Sequence, residues 1–155
     1  TQHRPIVLLV AALLAIPPAL HAQPVSAQPE TVQIVNASRG DVLRVSTPRS
    51  ERVVMLYGLT CPDPQSPVGA RALEYTRNQV DGKKLTMSVR YQQPKVDYVE
   101  ITLENGTILN HELLRNGLAK LDSVTAADDQ AYSGLQDRAR VQELGLWKPA
   151  DETLT

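Results

Sequence analysis

The chain has 155 residues, enough for one domain with a single core and little left for a second. Its 16 lysines and arginines stand against 17 aspartates and glutamates, a formal net charge of −1, so the basic surplus that gives nucleic-acid binders most of their affinity is missing. A single cysteine, Cys61, excludes an intrachain disulfide and any cysteine-built metal site.

Residues 1–27 read as a secretory signal peptide. Arg4 precedes an apolar run at 5–16, and Pro17, Pro18 and small residues follow it. A run of that length is too short to span a bilayer. Cleavage fits after Ala22 or, better, after Ala27, where Val25 and Ala27 hold the minus-three and minus-one places. The expected location is therefore periplasmic or secreted, with no membrane attachment once the leader is gone. Removing Arg4 leaves 15 basic against 17 acidic residues, a net charge of −2. His111 then remains the only histidine, so a Ser-His-Asp triad would have to use it.

The domain proper is expected over 28–150, followed by a tail at 151–155. After a short polar lead at 28–30, residues 31–35 alternate as a strand and 36–40 read as a turn around Gly40. A second strand follows at 41–46, a Pro48-containing hairpin at 47–50, and a third strand at 53–57, ended by Gly58 and the turn Cys61-Pro62-Asp63. Residues 66–80 change to helical spacing, with Val68, Ala72, Tyr75, Thr76 and Val80 on one face, Pro67 in the first turn and Asp81-Gly82 at the end. Strict alternation makes 84–91 a strand, 96–103 is another, and Asn105-Gly106 is a hairpin signal. Asn110 is expected to cap a short helix stopped by Gly117. A long amphipathic helix is expected at 126–143, with Leu135, Ala139 and 141–144 facing inward. This order is that of a five-stranded OB-fold β-barrel with three helices, an α+β and mainly β architecture.

The stretch at 53–63, V-V-M-L-Y-G-L-T-C-P-D, resembles the V-R-L-Y-G-I-D-C-P-E signature of the thermonuclease (staphylococcal nuclease-like) family. Pro67, Gly69 and Ala72 fit that family's P-x-G-x-x-A, and 109–119 is similar to V-N-x-x-L-V-x-x-G-L-A. Gly145-Leu146-Trp147 resembles its terminal G-L-W, so the resemblance covers roughly residues 40–147. It implies a nuclease in which two arginines stabilise phosphoryl charge, a glutamate acts as general base and two aspartates hold calcium.

Carried over without gaps, the resemblance puts Met55 at the first arginine, Thr60 at one aspartate, Asp41 at the other and Asp63 at the base. The second arginine falls on Asp97. A small deletion in that alignment supplies only Val99 or Glu100, because no arginine lies between Arg90 and Arg115. Met55 offers no donor and no charge, and losing one well-placed charge donor costs on the order of 10²–10³ in rate. Asp63 is one methylene shorter than glutamate, and a displacement of about 1 Å costs roughly a hundredfold. No cofactor is expected. Calcium would meet only Asp41, Asp63, a carbonyl and waters, and would bind weakly.

Tyr57, Tyr98 and Lys84 are the candidate contacts for a nucleic acid or other ligand, with Tyr91 and Lys83 beside them. Core packing and a charged strand start are the plainer roles for these residues. Asp97, Glu100 and Glu104 are expected on a solvated strand face, His111 on the exposed side of a cap, and Cys61 as a buried thiol. The expected function is an exported thermonuclease-like domain that is catalytically impaired, a pseudoenzyme binding a protein or peptide, since its charge does not favour nucleic acid. Two alternatives stay open. One is a weak or altered calcium-dependent nuclease using Asp41 and Asp63, with cations from elsewhere such as Arg44 or Arg90; the other is a non-hydrolytic nucleic-acid-binding OB module.

Overall fold

The computed structural model describes residues 28–150; the expected leader and tail lie outside the described residues. The chain runs β1 (Glu30–Arg39), β2 (Val42–Ser46), β3 (Glu51–Leu56), β4 (Leu59–Thr60), α1 (Pro67–Val80), β5 (Leu85–Gln93), β6 (Val96–Thr102), α2 (Leu109–Arg115), β7 (Lys120–Leu121) and α3 (Gln130–Val141). Five of the strands close a barrel in the order β1-β2-β3-β6-β5, parallel between β3 and β6 and antiparallel elsewhere. The expected five-stranded barrel with three helices is the fold.

Strand alternation closes it. Leu43, Val45, Val54, Leu56, Leu85, Met87, Val99 and Ile101 all point inward, each at most 2% exposed. Each such side chain contributes about 1.5–3 kcal/mol relative to exposure. The expected turn at 36–40 is mostly strand: β1 continues to Arg39, and only Gly40 and Asp41 turn. Register shifts between Ile34 and Asn36 and between Ala37 and Arg39 are the reason, because bulges bend a strand around a barrel without ending it.

In α1 the cap is Ser66, whose Oγ accepts from the Gly69 N–H at 3.1 Å. A Cβ on Gly69 would sit 1.8 Å from the Asp63 carbonyl oxygen, so a bare glycine lets the 61–66 turn lie against the helix start.

Asn110 does not cap α2. Ile108 holds that place, and Asn110 is fully buried one residue inside the helix. Its Nδ2 donates to the carbonyls of Tyr57 (3.0 Å) and Val99 (2.9 Å), and its Oδ1 accepts from the Ile101 N–H (3.1 Å). A carboxamide with two donors and an acceptor can serve three buried backbone groups at once, which a cap would leave unmet. Gly117 ends the helix turn with φ +68, as its position predicts.

The short pairing of β4 with β7 has no signal in the sequence. Helix α3 starts at its cap Asp129, later than expected, because that carboxylate accepts from the N–H groups of Ala131 and Tyr132. Leu135 and Ala139 face inward as expected, whereas Val141 is 85% exposed at the last turn. Gly145–Trp147 forms a single 3₁₀ turn.

Candidate active-site region

The residues that carry the resemblance meet where the β1–β2 turn, the end of β3 and the turn after β4 converge. The Leu56 N–H donates to the Asp41 carbonyl at 2.8 Å, and Met55 stands in register between Val42 and Tyr98. Asp41 itself is 0% exposed. Arg39 donates to both its oxygens, Nε to Oδ1 at 2.5 Å and Nη2 to Oδ2 at 2.9 Å, and the Cys61 N–H adds a third bond to Oδ2 at 3.2 Å. The bond to Asp41 raises the Arg39 pKa against the opposing effect of burial. Burial pushes the Cys61 thiol upward, and the neighbouring Asp41 charge adds to it. Cys61 is thus the buried structural thiol expected of it.

Gly40 makes this packing feasible. A Cβ there would come 2.8 Å from Cys61 Sγ and 3.0 Å from the Ala72 Cβ, and the Gly40 carbonyl accepts from Thr76 Oγ1 at 2.8 Å.

Asp63 is exposed, and one of its oxygens accepts from the Gln65 N–H at 2.7 Å, an Asx turn within its own loop. Its negative charge is nonetheless felt at Arg39. Thr60 is exposed on β4. Asp97 lies elsewhere: it is opposite Val54, whereas Tyr98 is opposite Met55, so strand parity turns it away from Met55. It meets Arg52 Nη2 at 3.6 Å and accepts from Gln92 Nε2 at 3.0 Å, which replaces the solvated face expected for it with a paired barrel rim. Lys84 is exposed before β5 and lines a hollow with Thr31, Ser46 and Pro48, at the end of β2 remote from Asp41.

The calcium implied by the resemblance needs 6–8 oxygen ligands around one ion. Both Asp41 oxygens are taken by Arg39, Thr60 supplies only a hydroxyl, and Asp63 is turned onto its own loop. Among the described residues no group of three or more His, Cys, Asp or Glu is placed to hold a metal ion. This donor set does not fit calcium.

A denser polar cluster lies against the outer face of β6. Glu100, expected in solvent, has a side chain only 13% exposed. Its Oε1 accepts from the Tyr132 hydroxyl at 2.7 Å and its Oε2 from Arg90 Nη1 at 2.6 Å. His111 Nε2 lies 3.6 Å from Oε1, and Arg90 Nη2 lies 3.7 Å from Asp129. Arg90 also covers the Tyr57 ring at 4.7 Å, while the Tyr57 hydroxyl donates to Asp129 at 3.3 Å. Tyr132 is the hub, edge-on to Tyr57 at 5.2 Å and to His111 at 4.9 Å. Burial, then the bond to Glu100, drives the Tyr132 pKa up. Burial also lowers the His111 pKa, with the Glu100 charge pulling the other way. His111 is therefore half-buried against a tyrosine, not on an open cap. Tyr98 packs separately, edge-on to Tyr91 at 5.6 Å, so Tyr57, Tyr98 and Lys84 do not form one patch.

Arg39, Asp129 and Tyr132 were not singled out from the sequence. The Arg-Gly-Asp spacing at 39–41 carried a signal, since opposite charges flank a turn-forming glycine. Nothing local marked Tyr132, whose partner is 32 residues away.

Compared with known protein families, residues 41–149 match the family described as staphylococcal nuclease homologue. No curated protein matches the chain.

Proposed function

Because the chain belongs to the staphylococcal nuclease homologue family, we propose that it is an exported member whose nuclease chemistry is impaired and which acts by binding a protein or peptide partner. The observation that carries this reading is the state of the charges. Cleaving a phosphodiester requires cations free to meet developing phosphoryl charge. Here Met55 supplies none, Arg39 is held bidentately by Asp41, Arg52 stands between Glu30 and Asp97, and Arg90 is tied to Glu100 and Asp129. The net charge adds no long-range attraction for a polyanion.

The test is digestion of single-stranded DNA by the purified chain with calcium present. Cleavage no greater than that of the Asp63→Ala variant is expected. Robust cleavage that disappears in Asp63→Ala overturns the reading.

One observation favours the alternative of a weak or altered nuclease on Asp41 and Asp63: the Arg39 guanidinium is a cation in direct contact with the first of these carboxylates. Under that alternative, residual cleavage falls at least about tenfold in Arg39→Gln, as expected when a charge donor is lost. Under the proposed reading, background cleavage is the same with and without Arg39.

A further inference from the structure

We propose that the Arg39 guanidinium is the resident counter-cation of Asp41, engaging both of the oxygens a divalent ion would have to use, so that this carboxylate neither binds calcium nor draws stability from it. A carboxylate removed from water requires a compensating charge. Asp41 is 0% exposed, and three N–H bonds from Arg39 and Cys61 serve its two oxygens. The planar fork matches the carboxylate in a way that a point charge does not.

The arrangement is held from several sides. Gly40 lets Cys61 and Ala72 press against the turn, Thr76 bonds the Gly40 carbonyl, and Arg77 Nη2 donates to the Ala37 carbonyl at 2.9 Å. An entering ion would have to break a bidentate bond and then collect further oxygens from Thr60 and an exposed Asp63. The inference concerns stability, so its failure is read separately from any result of the digestion assay.

Thermal denaturation of the purified chain, in chelator and in about 10 mM calcium, decides it; that concentration is roughly ten times the weakest affinities of extracellular calcium modules. The expected result is a midpoint that calcium leaves unchanged within about 1 °C. Arg39→Gln is expected to lower the midpoint by roughly 5 °C or more, because it strands a buried carboxylate. Adding Asp41→Asn to that variant is expected to restore most of the loss. A saturable calcium-dependent rise of about 3 °C or more in the unaltered chain overturns the proposal. So does an Arg39→Gln variant as stable as the parent. If Arg39→Gln alone does not fold, the Arg39→Gln/Asp41→Asn chain still decides: folding supports the pairing, and failure to fold overturns it.

Discussion

The Arg39–Asp41 pair and the Glu100 cluster both take a carboxylate out of water, by different means. Asp41 finds its cation two residues away across Gly40, and a backbone N–H completes it. Glu100 draws on three separate elements, Arg90 from β5, His111 from α2 and Tyr132 from α3. The Arg39–Asp41 pair takes both of its charges from one turn. A dispersed network exists only when the helices are docked, so it reports on the whole fold. The motif resemblance leads to the first region, yet the stronger polar coupling is in the second. Resemblance in strand and turn therefore marks descent, whereas chemistry depends on which charges remain uncommitted.

The sharpest way to break this comparison is Asn110→Ala, which removes three buried bonds beside the Glu100 cluster. A loss of about 3 kcal/mol is expected in urea denaturation, and a loss below roughly 1 kcal/mol would show that α2 does not depend on it. Gly40→Ala probes the local region. Its Cβ would press on Cys61 Sγ and on the Ala72 backbone carbon at 3.2 Å, for an expected loss of about 2 kcal/mol.

Tyr132→Phe keeps the ring and removes one donor from Glu100, at an expected cost of about 1 kcal/mol at neutral pH. The same variant has a pH signature. Burial and the Glu100 bond raise the Tyr132 pKa above its ordinary 10.0, so its contribution is complete below pH 10 and lost as pH rises beyond it. Alkaline destabilisation measured by circular dichroism is therefore expected to be weaker in Tyr132→Phe.

The smallest effect belongs to His111. Its folded pKa lies below the ordinary 6.5, so the unfolded chain takes up the proton first and stability falls as pH drops through 6.5. His111→Gln is expected to flatten that part of the stability profile. An unchanged slope between pH 7 and the carboxylate range would separate His111 from the network.

Much of the barrel was legible locally. Period-two alternation located β2, β3, β5 and β6 within a few residues, and helical spacing with Ser66, Pro67 and Gly82 bounded α1. Gly117 marked the end of α2, and Pro62 with Asp63 marked an exposed turn. The misses share a cause. Asn110 resembled a cap because a polar residue before an apolar run usually is one, yet three backbone partners, two on β6 and Tyr57 just past β3, drew it inside. Asn36 and Ser38 resembled a turn by composition, but bulges kept their backbone in the strand. Glu100 looked solvated because its partners come from α2, α3 and the bulged end of β5.

Element type and the order of strands and helices along the chain follow from residue identity and spacing, because steric preference and alternation act between neighbours. That Met55 stands at an arginine position is what the family resemblance implies. That Asp41 is buried and Glu100 largely so, and which groups neutralise Glu100, follow from contacts between distant segments. Those are set by register and by how closely glycines let the chain approach itself. The physical reason is range: backbone preference acts over a few residues, while desolvation and charge pairing act across whatever the fold brings within a few ångströms.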